Sequence, residues 1–465
     1  MNAATHDAVA KHVARLKPHI ENLFRAQWED PELPGMEYRS AARLRQFLSD
    51  HGFDVGDAPG HIPTAFVAGK RKGDGPVVAI LAEYDALPGL AAEAKGSYTP
   101  LPLAAGHACG HNHIGPANTA AAIIAAAALA EGEGGGEVRV IGCPAEEILW
   151  GKIALLDAGA FGDVDVVLTS HGDYQTGALS RPCQSVVMGE FVFLGRAGHA
   201  GFKTATNALL AAEAFVAEVE QAGRRDFAAV QFRHVLRRAG VTPGITPDEV
   251  RVWYQSRAPH IGQARAAYAM MIATAERIAA EQGLRWREQF ISETRGYLPN
   301  DVLGRILADC MKNVGPPQWS ADDVAFMSDL TATCAPGEPM RLDRTTRYFD
   351  TGEDYYGQDD GEVSWRVPLG RVNWAYPEQV PIHHWAWTAL SGHPASFPGP
   401  LMAVQALAAG ALAILRNPSH VERAKAELQR RTADTPPDRP RLGAQRTLRD
   451  APETFWNATW TEVSP

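Results

Sequence analysis

The sequence predicts an α/β fold interrupted by an inserted α+β domain. Three observations carry that reading: β-branched runs alternate with helical patterns up to about residue 183, the pattern changes near residue 184, and helices return after residue 298. Residues 77–82 (VVAILA), 137–142 (EVRVIG) and 164–169 are apolar runs of strand length, two of them entered from glycine-rich turns, as expected for buried strands of a largely parallel sheet. Residues 117–129 read as a helix between them. Ligands of such sheets gather at the carboxyl ends of strands. The runs lead there into Glu83 and Asp85, Glu146 and Glu147, and His171.

From residue 184 the order is strand (186–195), helix (205–221), strand (249–256) and helix (263–282), which predicts an inserted domain over 184–297 with an antiparallel sheet. It divides a main domain into 1–183 and 298–435. Residues 436–465 are rich in proline and charge, lack periodicity, and read as a C-terminal tail.

A chain of 465 residues exceeds one compact core, and 45% hydrophobic with 21% charged residues is the balance of a globular protein. The net charge of -10 is spread without a basic stripe, which argues against a nucleic-acid partner. Residues 1–24 form an amphipathic pattern without the continuous apolar stretch of a secretory signal, and the alanine-rich run 120–130 is short for a bilayer. A cytoplasmic protein without a membrane partner is expected. Five cysteines, an odd number without CxxC spacing, speak against a disulfide framework.

The chemistry concentrates in three places. GHACGHNHIG (106–115) sets His107, Cys109, His111 and His113 at alternate positions, which in an extended segment face one way. Thiolate and imidazole suit zinc, manganese, iron or nickel. Taken alone, a glycine-rich turn with solvated histidines reads equally well. CPAEE (143–147) follows a strand; adjacent carboxylates there are commonly a solvated helix start. Beside a metal, however, one can ligate while the other takes a proton from water. His171 closes an apolar strand in LTSH.

The motifs LAEYDALPG, GHACGHN, PAEE, TSH and RAGHA, in this order, resemble the metallopeptidase branch that includes hippurate hydrolase, indole-acetyl-amino-acid hydrolases and p-aminobenzoyl-glutamate hydrolase. The resemblance runs from WEDPE (28–32) through YLPN (297–300), EVSW (362–365) and PIHHW (381–385) to the last long helix. It implies a zinc-peptidase-like catalytic domain with a lid domain that dimerises. By motif, Cys109, His111, Glu147 and His171 hold a divalent metal, manganese ahead of zinc, and Glu146 is the general base. Asp85 orients a ligating histidine, His199 of the lid reaches the site of a partner subunit, and Arg257 holds a substrate carboxylate.

Three positions depart from that family. Its last ligating histidine, aligned on Gly399, falls on Phe397, which cannot ligate; His393 is the available substitute. The asparagine thirteen residues before the lid arginine is Gly244. The loop after Glu147 reads ILWG, so Ile148, Leu149 and Trp150, with Phe397, are expected to wall an apolar pocket. Loss of a ligand implies one ion per chain, which weakens the clamp on a tetrahedral amide intermediate. The expected reaction is therefore hydrolytic deamination of an electron-poor aromatic amine bearing a carboxylate, of the kind that turns 5-nitroanthranilate into 5-nitrosalicylate and ammonia. The alternative is amide hydrolysis of p-aminobenzoyl-glutamate or another N-acyl amino acid; a third reading, a binding protein without activity, is opposed by the intact Glu146–Glu147 pair.

Overall fold

The apolar runs become the centre of an eight-stranded mixed sheet in the computed structural model, which describes residues 3–202, 205–435, 438, 440–443 and 445–457. The strand order is Asp54–Asp57, Phe66–Lys72, Gly136–Cys143, Val77–Glu83, Val166–Asp173, Leu369–Ala375, Gly177–Leu179 and Arg347–Phe349. The four central strands are parallel, and every residue of Val77–Glu83 and of Leu369–Ala375 is buried. A parallel sheet reads as an unbroken apolar run because it is covered on both faces.

On one face lie helices Ala3–Glu29, His111–Ala130, Asp301–Val314 and Pro398–Arg416. Alanine dominates two of them, and its small side chain lets helix and sheet approach closely. His111–Ala130 and the stretch Pro394–Arg416 are long and apolar enough to cross a membrane, yet 89% and 83% of their apolar windows are buried inside the fold. They are core helices. The first begins at His111, earlier than the alanine pattern alone suggests.

A second, antiparallel sheet of four strands has the order Gln231–Arg238, Glu249–Ala258, Ser185–Leu194 and Arg285–Thr294, with helices Ala208–Asp226 and Ile261–Glu281 on one face. Alternation in Glu249–Ala258 sorts its side chains: Val250, Val252, Tyr254 and Ala258 pack under the helices, while Trp253, Gln255 and Arg257 take the opposite face. Two of the strands, 231–238 and 285–294, have no counterpart in the sequence reading. Their charged residues hide the apolar alternation that marks a strand.

The C-terminal segment, expected to lack regular structure, contains two short helices, Gln445–Asp450 and Pro452–Asn457, and ties the two sheets together. Leu442 bridges to Ser292 of the second sheet. The Gly443 carbonyl accepts the Trp150 indole N–H at 2.9 Å. Leu448 and Phe455 are buried, and the Trp456 indole donates to the Pro34 carbonyl at 2.8 Å. Arg237 pins this strap from the other side: its guanidinium lies over the rings of Trp253, Phe455 and Trp456 and pairs with buried Glu190 at 2.7 Å. Packing, not periodicity, orders these residues. Replacing Arg237 by Met removes the closest partner of a buried carboxylate and should lower stability by about 3 kcal/mol. Urea denaturation followed by tryptophan fluorescence reads this directly, and an unshifted midpoint would mean the pair contributes nothing.

Candidate metal centre

The site begins at Gly110, where the backbone adopts a φ of 84°, a left-handed conformation that glycine takes without strain. The chain turns there into the helix His111–Ala130, so the segment 106–115 is not one extended run. The turn separates the four residues that alternation groups together. Cys109 and His111 stay at the strand ends, while His107 and His113 enter the core. His107 contacts the Gln27 carbonyl at 3.1 Å; His113 sits between the hydroxyls of Tyr376 and Ser396 at 3.1 and 3.2 Å. Burial lowers both imidazoles to about 3, so they are neutral core residues.

His171, on the central strand Val166–Asp173, donates through Nδ1 to the Gly172 carbonyl at 2.6 Å, which leaves Nε2 free as an acceptor 3.5 Å from the Cys109 sulfur. Glu146 and Glu147 follow Gly136–Cys143 on a single tight turn, Glu146–Ile148, bounded by Ala145 and Leu149 at φ of 55° and 51°. Two non-glycine residues in the left-handed region mark stored strain of the sort found at functional turns. Asp85 joins the parts: one carboxylate oxygen accepts from His111 Nδ1 at 2.8 Å, the other from the Glu147 backbone N–H at 2.9 Å. Nδ1 of His111 is thereby committed to Asp85, and Nε2 faces the two carboxylates, 3.8 Å from Glu146 and 3.9 Å from Glu147.

A further donor joins from a loop to which the sequence reading gives no ligand role. His383, within PIHHW, places Nε2 at 3.4 Å from Glu147, and its backbone N–H is anchored to the Ala108 carbonyl at 2.9 Å. The donor atoms fall into three sets, each within 4.8 Å: Cys109, His111 and His171; Cys109, Glu147 and His383; His111, Glu146 and Glu147. Phe397 and His393 lie elsewhere. Phe397 packs in the core with ring centroids 5.3 Å from Phe24 and 5.9 Å from His113, and His393 stacks on Phe326 at 3.6 Å. The position aligned on Gly399 falls outside the donor cluster, and the additional donor, His383, lies just before helix Trp385–Gly392 rather than after it.

The cluster suits a divalent cation. His111 Nε2, Glu146 Oε1 and Glu147 Oε1 are buried without a hydrogen-bond partner. Burial, with the Glu147 charge adding to it, raises the Cys109 thiol well above its ordinary value; burial raises Glu147 to about 8. Glu146 also rises well above the carboxylate range, through burial and then the charge of Glu83. Acidic donors crowded together out of water are costly unless a cation compensates them, and thiolate, imidazole and carboxylate are ligands for zinc or manganese.

Behind Glu146 lies a fully buried ion network. Lys152 donates to Glu83 at 2.8 Å and to Asp359 at 2.5 Å. Burial opposes ionisation of Glu83, but Lys152, then His111 and His171, outweigh it and hold the carboxyl at about 2. Lys152 has no signal in the sequence, where it resembles any lysine at a helix start.

Above the donors is a cavity of 630 Å³, a volume suited to a small molecule. Cys109, Glu146, Glu147, His171 and His383 form its floor; Arg233, Trp253, Gln255 and Arg257 of the second sheet form its roof. Leu149 lines the cavity, whereas Trp150 does not: its ring is buried beneath the loop with its N–H on Gly443. Phe397 is likewise no part of the wall. His199 stands exposed on the short strand Gly198–His199, outside the cavity of its own chain.

No protein-family model matches the chain. It is 28% identical over 450 residues to a subunit of the p-aminobenzoyl-glutamate hydrolase of Escherichia coli (strain K12), covering 88% of this chain and 92% of that protein. It is 30% identical over 280 residues to N-acetylcysteine deacetylase of Bacillus subtilis (strain 168), covering 56% of this chain and 71% of the relative. An aminobenzoyl-glutamate utilization protein from Klebsiella pneumoniae shares the fold with a TM-score of 0.59 at 16% identity, over 88% of this chain and 99% of that one. A dinuclear metal binding peptidase of the M20 family from Bacillus subtilis does so with a TM-score of 0.55 at 20% identity, over 89% and 99%. The α/β architecture with an inserted lid, as read from the sequence, is the fold they share.

Because Asp85 orients both His111 and Glu147, the Asp85→Asn variant should bind its divalent ion about 10- to 100-fold more weakly. Competition with a chromophoric chelator measures this, and an unaltered affinity would remove Asp85 from the site.

Proposed function

Since the chain belongs to the aminoacylase-like M20 metallopeptidase family, and is a metal-dependent hydrolase of carbon–nitrogen bonds, we propose that it cleaves the amide of an N-acyl amino acid with an aromatic acyl group. The observation that carries this choice is His383. The case for aromatic deamination rests on Phe397 leaving a ligand position empty and so implying a single ion. With His383 beside Glu147 that premise falls, and the donors suffice for two ions sharing Cys109, one toward His111 and His171 and one toward Glu147 and His383. A relative that aligns with 88% of the chain is named for hydrolysis of p-aminobenzoyl-glutamate, an aromatic amide.

The bound ion, manganese or zinc, would polarise the scissile carbonyl and acidify water. Glu146, with one oxygen free of partners, takes the proton of the attacking water. As the carbonyl carbon becomes tetrahedral and the C–N bond breaks, the same carboxyl passes that proton to the leaving nitrogen. Lys152 holds Glu83 behind it, and Arg257 above offers a planar pair of donors to the substrate carboxylate. Leu149, Tyr356 and Ile382 supply apolar wall for a ring.

The lid, proposed to span 184–297, is the dimerisation element, with His199 entering the cavity of the partner. Exposed Phe202, Val241 and Ile245 lie in the same lid segments as His199, and apolar residues left at a surface in this way mark association sites. Five free cysteines support a reducing, cytoplasmic setting.

Glu146→Gln should lower kcat by about 10²- to 10⁴-fold with metal content retained, since the amide preserves shape but accepts no proton; turnover near wild type would remove Glu146 as the base. His383→Ala should lose one of two ions per chain by elemental analysis. Release of an amino acid from p-aminobenzoyl-glutamate supports amide hydrolysis, whereas ammonia from a nitroanthranilate would return the chain to aromatic deamination.

A further inference from the structure

The geometry points to Arg233 as the specificity-determining residue of this site: with Arg257 it forms a two-guanidinium roof that selects substrates carrying a second oxyanionic group besides the carboxylate held by Arg257. The inference rests on the amide-hydrolysis reading for its choice of substrates. Its basis is the register of the lid sheet. Arg233 stands directly across from Gln255, and Arg257 across from Gln231, so both arginines occupy one face and are diagonal neighbours. Both line the cavity over the metal donors. Diagonal positions on paired strands are about 7 Å apart, which sets the scale of the spacing between the two anionic groups.

Among the described residues no carboxylate neutralises this pair. Arg257 donates to the Tyr355 carbonyl at 3.1 Å and to Gln255 at 3.4 Å, and its Nε has no partner; Arg233 donates to the Phe232 carbonyl at 2.8 Å and to Gln231 at 3.3 Å. All of these acceptors are neutral. The fully buried arginines behave differently, since Arg237 pairs with Glu190, Arg295 with Glu362 and Arg371 with Asp360, whereas Arg257 is half-buried and Arg233 stands exposed at the cavity rim. Of the cavity's carboxylates, Glu146 and Glu147 belong to the metal cluster, and Asp173 is held by Asn373 and the Tyr174 N–H. Two like charges on neighbouring strands repel, and the arrangement is relieved when a dianionic ligand enters. An aroyl amino acid with an acidic side chain has that chemistry.

The test compares two substrates of equal shape, N-aroyl-glutamate and N-aroyl-glutamine, on the metal-loaded enzyme. The wild type should favour the glutamate form by about 10- to 100-fold in kcat/KM, the worth of one charge-assisted hydrogen-bonded contact. In Arg233→Gln the ratio should fall toward one, chiefly through a raised KM for the glutamate form, and Arg233→Lys should restore part of it. A ratio that is the same in wild type and Arg233→Gln overturns the assignment. If the wild type cleaves neither compound, the amide reading fails on its own, and calorimetric binding of the same two compounds decides the role of Arg233: preference for the dianion that vanishes in Arg233→Gln upholds it, and equal binding by both proteins refutes it.

Discussion

A single carboxylate holds the centre of this molecule in register. Asp85, at the end of the strand Val77–Glu83, accepts from the ring of His111 at the start of a core helix and from the backbone of Glu147 after a neighbouring strand. Three elements that meet only in the folded state are thereby set relative to one another within hydrogen-bond tolerance. The free His111 nitrogen, the tautomer it requires, and the direction of the Glu146–Glu147 turn all follow from this contact. Without it the donors would be near neighbours but not a coordination site.

Around that contact the protein places charge in pairs, away from water. Lys152 with Glu83 and Asp359, Arg371 with Asp360, and Arg295 with Glu362 are buried between the metal cluster and the lid junction. Burying ions in this way costs desolvation that attraction scarcely repays, so their value lies in geometry more than in stability. A fixed cation behind Glu146 and two arginines above it, held only by neutral acceptors, leave the carboxylates between two positive layers. The cavity is therefore electrostatically arranged for an anionic ligand approaching an acidic floor.

What can be read from the sequence is whatever depends on short-range pattern. Buried parallel strands announce themselves as unbroken apolar runs, and Cys109, His111, Glu146, Glu147 and His171 sit directly after such runs or beside them, where ligands collect in this architecture. His383 escapes because only the tertiary course of the 381–385 loop brings it to Glu147. Trp150 reads as part of the wall because it follows Leu149, but the tight turn at Leu149 sends successive side chains to opposite sides. Arg233 and Lys152 belong to charged or helical segments in which nothing local separates a functional cation from a solvated one. The amide reading gains over deamination for the same reason: the decisive donor is far away in sequence.

The strap over residues 441–457 bears on how the site comes into being during synthesis. In chain order it follows every strand and helix that contributes a donor or a roof residue, yet it contacts Trp150 just past the Glu146–Ile148 turn, Ser292 in the second sheet and Pro34 near the other end of the chain. Each sheet can collapse around its own core as it emerges from the ribosome. Direct contacts such as Ser292 Oγ on the Ile148 carbonyl at 3.1 Å already join the two sheets, and this late segment completes the junction, so a nascent chain can hold folded domains before the donor floor and the arginine roof are fully fastened.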